Sequence, residues 1–210
     1  MIRAGIVNVE RLMNPDRYRK YYQTVPVWRQ EKADRLRKQE DKALSIGAWT
    51  LYQMMREEYG VSEQVVFNLS HSGKYALCAL DDRETADHKV GCDIEQIAQA
   101  HHKLAERFFT AEEYDYITAF PGEAEQTQAF YRLWVLKESF VKATREGMGL
   151  GFRNFTVSFD AEELPVLAEY PAGITDTYYF KEYQYEAAAG KIAVCSTEPV
   201  FAEQIISKNL

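Results

Sequence analysis

The sequence predicts an α+β fold. Apolar runs typical of strands occur at the start, in the middle and near the end of the chain, and long segments with helical apolar spacing lie between them. Two of the strand-like runs are separated only by a short polar break, Ser72-Gly73-Lys74, which indicates a hairpin-like turn. Strands that follow one another directly, rather than alternating with helices, are typical of the α+β class.

The first part of the chain predicts one strand followed by helices. Pro15 suits the first turn of the short helix, and Gly60 suits the end of the long one. In order, the predicted elements are a strand, a short helix, a charged helix and a longer helix, at residues 2–9, 14–23, 28–39 and 40–59.

The second part of the chain predicts more strands and the longest helix. The segment Thr110-Ala111-Glu112-Glu113 has the capping-box pattern that starts a helix. Residues 123–145 predict the longest helix, and strands are predicted at residues 65–69, 75–80, 90–94, 152–159, 177–183 and 191–196. Because residues 81–89 are polar, we expect a boundary there, with halves at 1–88 and 89–210.

Composition excludes several classes of protein. No apolar stretch approaches the length of about 18 residues that a membrane span needs, so we expect no membrane association. The net charge of −7 disfavours a nucleic-acid binder, which is usually basic. The three cysteines show no paired spacing, which indicates free thiols and therefore a cytoplasmic protein.

The charge is unevenly distributed, because residues 29–42 contain six basic side chains among four acidic ones. This pattern has two interpretations. It is typical of a solvated helix face with ion pairs at i,i+4 spacing. It also suits a local anion site on an otherwise acidic protein.

Two carboxylates lie close together in the segment Val90-Gly91-Cys92-Asp93-Ile94-Glu95. Side chains two residues apart on a strand share one face, so Asp93 and Glu95 are expected about 7 Å apart along it. Such a pair can bind one hard cation such as magnesium or calcium through oxygen ligands. The same spacing also occurs on the solvated face of many strands.

The longest helix carries charged residues between apolar ones. Glu138 and Lys142 lie one turn apart on the same stripe, while Leu133, Leu136 and Phe140 lie on the opposite side. The two charged residues could pair with each other. Alternatively, Glu138 could complete a metal site and Lys142 could face an anionic substrate. The segment Ser70-His71-Ser72-Gly73 suits either a turn or the rim of a phosphate site.

Together, four segments resemble the 4′-phosphopantetheinyl transferases of the surfactin-synthetase-activating (Sfp) type. That family has the patterns N-[IL]-S-H-S, G-x-D-[IV]-E, R-F-F and W-x-x-K-E-[SA]-x-x-K in this order. This sequence has Asn68-Leu69-Ser70-His71-Ser72, Val90-Gly91-Cys92-Asp93-Ile94-Glu95, Phe108-Phe109 and Trp134 to Lys142. The G-K-P segment that many members carry before the first pattern is absent.

The resemblance implies a fold, a reaction and partners. The fold has two similar α+β halves in a pseudo-twofold arrangement on one chain, with coenzyme A and Mg²⁺ in the cleft between them. The reaction moves 4′-phosphopantetheine from coenzyme A to a serine of an apo acyl or peptidyl carrier protein and releases 3′,5′-ADP. The enzyme is expected to be a monomer.

The resemblance also implies roles for individual residues. Asp93, Glu95 and Glu138 match the metal carboxylates, and Glu138, Lys142 and Asp93 are the expected catalytic residues. The expected coenzyme A contacts are Arg29, Lys32, Ser45, Ser70, His71, Lys137 and Lys142. Two other functions stay open: a different magnesium-dependent phosphotransferase, and a catalytically silent carrier-binding protein of the same fold.

Overall fold

A computed structural model of the protein describes residues 1–83, 87–98 and 102–210. Its strands are β1 (Ile2–Asn8), β2 (Phe67–Ser72), β3 (Tyr75–Asp81), β4 (Val90–Gln96), β5 (Thr156–Phe159), β6 (Pro165–Glu169), β7 (Tyr179–Tyr183), β8 (Gly190–Ser196) and β9 (Ile206–Lys208). Its α-helices are α1 (Pro15–Tyr22), α2 (Val27–Asp34), α3 (Gln39–Tyr59), α4 (His102–Phe108), α5 (Ala111–Thr118) and α6 (Glu123–Thr144).

The two halves of the chain repeat one topology. The first sheet has the order β2-β3-β1-β9 and the second has the order β4-β8-β7, while β5 and β6 form a separate hairpin. In each half a first strand precedes a long helix, α3 or α6, and two later strands follow. The last of these lies in the middle, antiparallel to both neighbours. The predicted α+β class with two similar halves is therefore confirmed.

The molecule is layered, with a long helix outside each sheet. Helix α3 packs on the first sheet and α6 on the second. A third core lies between the sheets and includes Ile6 of β1 together with Cys92 and Ile94 of β4. Side chains alternate between the two faces along a strand, so Asp93 and Glu95 lie on the other face of β4, which is the face toward α6.

Local sequence signals set several helix ends as predicted. Asn14 Oδ1 accepts hydrogen bonds from the first backbone amides of α1, and Pro15 is the first residue of that helix. Gly60 ends α3 with φ of 64°, in the left-handed region. Thr110 and Glu113 form the predicted capping box at the start of α5.

Other elements differ from the prediction. The charged helix ends at Asp34 rather than at residue 39, and residues 152–154 form a short 3₁₀ turn ahead of β5. Strand β4 extends to Gln96, which brings Glu95 into the sheet. Strands β6 and β9 and helix α4 were not predicted, because segments of three to seven residues have too little periodicity to identify them.

The boundary between the halves near residue 88 remains a proposal. Strand β9 lies late in the chain but pairs in parallel with β1, where Gly5 is opposite Ile206. Nearby, the Ile2 amide donates to Val200 O at 2.8 Å. The chain therefore returns to its first sheet after completing the second. Within the described residues, no helix is both long enough and apolar enough to cross a membrane.

Candidate active site

The edge strands of the two sheets, β2 and β4, are joined through side chains. Asn68 Oδ1 accepts a hydrogen bond from Cys92 N at 3.1 Å, and Ser72 Oγ accepts one from Gln96 N at 3.1 Å. Alternate side chains of a strand share one face, so residues 68, 70 and 72 all reach toward β4. We call this line of contacts the seam.

Charged and hydroxyl groups meet at the seam. Ser70 Oγ donates to Asp93 Oδ1 at 2.8 Å, and Ser72 Oγ donates to Glu95 Oε2 at 2.8 Å. From α6, Lys142 Nζ donates to Asp93 Oδ1 at 2.6 Å and to Ser70 Oγ at 3.0 Å. The ion pair of Lys142 is thus made with Asp93 rather than with Glu138. Three elements, β2, β4 and α6, converge on one carboxylate.

Helix α6 reaches this position because β4 has a glycine beneath it. A Cβ atom at Gly91 would lie 2.1 Å from the carbonyl oxygen of Ser139 and 2.3 Å from the amide nitrogen of Ala143. Only a residue without a side chain permits that approach. The close packing brings the last turns of α6 against β4, where Lys142 contacts Asp93.

The three predicted metal carboxylates share one electrostatic neighbourhood. Burial raises the pKa of Glu138, and the negative charge of Asp93 raises it further, while Lys142 lowers it. The pKa of Glu95 is also raised, first by burial and then by Asp93 and Glu138, against the hydrogen bond from Ser72. The negative charge of Asp93 therefore makes ionisation of Glu95 and of Glu138 less favourable.

The donor set suits a hard divalent cation. Carboxylate oxygens are the ligands that magnesium prefers. Asp93 is 3% exposed, and its Oδ2 has no hydrogen-bond partner in the described part of the chain. Among residues 1–83, 87–98 and 102–210, no three His, Cys, Asp or Glu side chains are arranged as a preformed metal cluster. In this structure the cation that contacts Asp93 is the ammonium group of Lys142.

His71 lies in β2 between two residues of the seam, Ser70 and Ser72. Its side chain is exposed beside the seam. The pKa of His71 is lowered, first by desolvation of its ring and then by the positive charge of Lys142. The charges of Asp41 and Lys32 also act on it. The structure thus brings His71 within electrostatic range of both Lys142 and Lys32.

The predicted nucleotide contacts lie between α2 and α3. Arg29 is 8% exposed, and its guanidinium lies over the rings of Trp28 and Trp49 at 5.0 and 4.7 Å from their centroids. Lys32 lies one turn further along α2 and is exposed. Three donor atoms of these helices are buried without a partner in the described residues: Arg29 Nε, Trp49 Nε1 and Ser45 Oγ. Unpaired buried donors of this kind suit an anionic ligand.

Lys137 does not face the seam, which corrects the prediction that it contacts phosphate. Its side chain is fully buried, and Nζ donates to Glu113 and to the carbonyl oxygen of Phe155. Lys137 and Lys142 are five residues apart on a helix, so they project about 140° apart. Only Lys142 can lie on the side of β4.

Several residues of the site were not assigned a role from the sequence. Asn68 and Ser72 lie at alternate positions from Ser70, and this spacing could have marked them as seam residues. Trp49 lies four residues after Ser45 on one helix, which places both on the same face. Gly91 is the glycine of the G-x-D-[IV]-E pattern, but the pattern did not show that it allows α6 to approach β4.

The chain was compared with known proteins. Residues 89–195 match the 4′-phosphopantetheinyl transferase superfamily. The chain is 36% identical to 4′-phosphopantetheinyl transferase Sfp of Bacillus subtilis over 139 residues, which are 66% of this chain and 58% of Sfp. It is 36% identical to 4′-phosphopantetheinyl transferase psf-1 of Bacillus pumilus over 141 residues, which are 66% of this chain and 56% of psf-1.

The matched region therefore spans little more than half the length of these curated relatives. Among solved structures, the holo-[acyl-carrier-protein] synthase of Thermotoga maritima aligns with a TM-score of 0.45 at 20% identity, over 53% of this chain and 64% of that one. The family match covers half of this chain, in agreement with the resemblance seen in the four motifs. The chain belongs to the 4′-phosphopantetheinyl transferase superfamily, and within it to the Sfp type.

Proposed function

We propose that the chain transfers the 4′-phosphopantetheine group of coenzyme A to a serine of an apo acyl or peptidyl carrier protein, with Mg²⁺ as cofactor and 3′,5′-ADP as the leaving group. One observation carries the proposal: Asp93, Glu95 and Lys142 meet where β2, β4 and α6 converge, and Glu138 of α6 lies within electrostatic range of Asp93 and Lys142. The activity in the names of the relatives supports it.

Asp93, Glu95 and Glu138 are the proposed magnesium ligands. Their oxygens are of the right kind, and Asp93 Oδ2 is a buried acceptor without a partner in the described residues. When bound there, the ion neutralises charge on the pyrophosphate oxygens of coenzyme A. Ser70 and Ser72 hold two of these carboxylates in place through hydrogen bonds of 2.8 Å.

The proposed reaction is a displacement at the phosphorus that bears the pantetheine arm. The carrier serine Oγ forms a bond to that phosphorus, and the P–O bond to 3′,5′-ADP breaks. The serine proton passes to the carboxylate of Glu138, which acts as the proposed general base. The Lys142 ammonium balances the negative charge that develops on the leaving phosphate.

The proposed role of the α2–α3 region is to hold the 3′-phosphate of coenzyme A. Arg29 and Lys32 supply positive charge, and the hydroxyl of Ser45 supplies a further donor. His71 lies within electrostatic range of Lys32 and Lys142, and Ser70 contacts Asp93, so both residues are proposed to contact the rest of the nucleotide. Holding the remote end of the substrate orients its pyrophosphate at the seam.

We also propose that the protein acts as a cytoplasmic monomer. Ser70 precedes the linker between the halves and Asp93 follows it, so one chain supplies both sides of the seam. The three cysteines are free and buried, which agrees with a reducing compartment. Light scattering on the purified protein tests the oligomeric state directly.

Intact mass spectrometry tests the reaction. Candidate apo carrier proteins are incubated with the enzyme, coenzyme A and Mg²⁺, and we expect each substrate carrier to gain one phosphopantetheine. Glu138→Gln is expected to abolish the gain. Glu125→Gln removes an exposed carboxylate from the same helix and is expected to leave the gain unchanged. A wild-type enzyme that binds carriers without modifying them would support the silent carrier-binding alternative instead.

A further inference from the structure

The ammonium group of Lys137 is fully satisfied inside the protein. Nζ donates to Glu113 Oε1 at 2.5 Å, to Glu113 Oε2 at 2.8 Å and to Phe155 O at 2.8 Å. The side chains of Lys137 and Glu113 are both 0% exposed. A lysine has three N–H donors, and here all three point at acceptors. Lys137 therefore has no donor left for a ligand.

The carboxylate of Glu113 joins three elements. Besides the two bonds from Lys137 of α6, its Oε1 accepts from Val157 N of β5 at 2.8 Å. Its Oε2 accepts from Thr110 N, at the start of α5, at 2.9 Å. One buried acid thus fixes α5, β5 and α6 relative to one another through directional bonds.

These bonds define how α6 is rotated about its axis. Lys137 immediately precedes Glu138, so a rotation that moved one would move the other. On the opposite side of the helix, α6 packs against Gly91 of β4 with no space for a Cβ atom. Because both sides are fixed, Lys142 has little freedom in its approach to Asp93. Loss of the buried pair would free one side of the helix.

We propose that Glu113 and Lys137 are positioning residues: their buried ion pair sets the rotation of α6 and so directs Glu138 and Lys142 to the carboxylates of β4. The kinetic part of this inference rests on the proposed transfer reaction. The structural part does not, because the position of α6 can be observed without any substrate. A misplacement of about 1 Å in a catalytic group is enough to lower a rate by about 100-fold.

The test compares Lys137→Met, Glu113→Gln and the double variant E113Q/K137M with two controls. Glu112→Gln removes the exposed acid next to Glu113. Leu167→Ala removes buried apolar volume from the same core, leaves both members of the pair in place and serves as a control of lowered thermal stability. We expect Lys137→Met and Glu113→Gln to lower kcat by about 10- to 100-fold with KM for coenzyme A unchanged. Leu167→Ala should keep kcat at temperatures well below its Tm.

The double variant separates stability from position. Removing both charges should restore much of the Tm that each single change loses, because no unpaired buried charge remains. Its kcat should stay low, since the directional bonds are still absent. If kcat instead recovers with Tm, or if Leu167→Ala loses kcat to the same degree, the pair is only structural and the inference is overturned.

A crystal structure of Lys137→Met gives a readout that is independent of activity. We expect the last turns of α6 to rotate, and the contact between Lys142 Nζ and Asp93 Oδ1 to lengthen beyond hydrogen-bond distance. An unmoved helix with that contact intact would overturn the inference even if the transfer reaction is confirmed. A moved helix in Lys137→Met, together with a wild-type protein that transfers nothing, would support the inference about α6 and reject the proposed function.

Discussion

Ser70 and Asp93 are joined by a 2.8 Å hydrogen bond across the seam between the two sheets. Ser70 belongs to the edge strand of the first sheet and Asp93 to the edge strand of the second. The bond is buried at both ends, since the two residues are 7% and 3% exposed. The proposed metal ligand of one half therefore depends for its environment on a hydroxyl group of the other half.

Removal of that hydroxyl should weaken both the site and the fold. Burial raises the pKa of Asp93, while Lys142 and Ser70 act to lower it. In Ser70→Ala the carboxylate loses one of these stabilising partners, so its ionised form becomes less favourable. We expect a loss of about 1–2 kcal/mol in the free energy of unfolding and a roughly tenfold loss of kcat/KM. Calorimetric titration with Mg²⁺ in the presence of coenzyme A should show weaker binding.

Ser158→Ala is a suitable control, because Ser158 lies in β5, away from the seam. It should leave magnesium binding at the wild-type level. Wild-type affinity in Ser70→Ala would mean that the bond from Ser70 does not tune Asp93.

The sequence predicted a feature correctly wherever the residues of one strand or one helix were enough to define it. Alternation along β4 predicted that Asp93 and Glu95 share a face, and the structure places both toward α6. The helical stripe that carries Glu138 and Lys142 predicted that these two residues lie in one region, and the charges of both act on Glu95. Gly60 and the capping box fixed two helix ends without any tertiary information.

The sequence was misleading where the answer depended on distant partners. Lys137 is a charged residue beside Glu138, and nothing in the adjacent sequence shows that it forms an ion pair with Glu113, 24 residues earlier. The cation that contacts Asp93 could not be identified either, because Lys142 is 49 residues away along the chain. Contacts of this kind follow from how the layers stack, which a periodic pattern does not encode.

Gly91 offers a test of how closely α6 must approach β4. In Gly91→Ala the new methyl group would meet backbone atoms of Ser139 and Ala143, which cannot rotate away as a side chain could. We expect α6 to shift, at a cost of about 1–3 kcal/mol in the free energy of unfolding. Because Lys142 moves with the helix, kcat should fall. Chemical denaturation and steady-state kinetics measure the two effects.

Gly149→Ala is the matched control, since a Cβ atom at Gly149 meets no atom within 4 Å and the backbone there needs no left-handed conformation. We expect it to keep both stability and rate. If Gly91→Ala behaves in the same way, the close packing of α6 on β4 is not required for the site.

The basic helix α2 offers a test of nucleotide recognition. Neutralising Arg29 and Lys32 together as Gln should raise the Kd for coenzyme A by at least about tenfold, because charge-assisted bonds to a phosphate are lost. The Kd for 3′-dephospho-coenzyme A should change much less, since that ligand lacks the phosphate concerned. Titration calorimetry of both ligands at one ionic strength makes the comparison.

Two control variants separate local contact from general charge. Lys38→Gln removes an exposed positive charge from the same basic segment and should affect both ligands equally and weakly. Arg29→Lys keeps the charge but loses the planar group that lies over Trp28 and Trp49. Equal weakening of both ligands by the double neutralisation would reject the 3′-phosphate assignment.

Asp81, at the end of β3 beside the linker between the halves, predicts a pH dependence of stability. Its carboxylate is 0% exposed and accepts from Arg83 Nε at 3.1 Å and from His88 Nδ1 at 2.5 Å. Burial alone would raise the pKa of Asp81, but the bonds from Arg83 and His88 outweigh burial and lower it to about 2. The ordinary value for the unfolded chain is 3.8.

The sign follows from which state binds the proton. Between pH 3.8 and about 2 the unfolded chain is protonated at this position and the folded protein is not, so acid favours unfolding. The contribution of Asp81, about 2 kcal/mol, is therefore complete above pH 3.8 and is lost as the pH falls through about 2. Asp81→Asn should lower the free energy of unfolding at pH 7 by a similar amount, and its difference from wild type should shrink as the pH approaches 2. Denaturant titrations at several pH values measure this difference.

Asp176→Asn is the control, because it breaks the exposed pair with Lys89 and should cost no more than about 1 kcal/mol in the free energy of unfolding. If the difference in free energy of unfolding between Asp81→Asn and wild type stays constant from pH 7 to pH 2, the buried charge of Asp81 does not stabilise the folded protein.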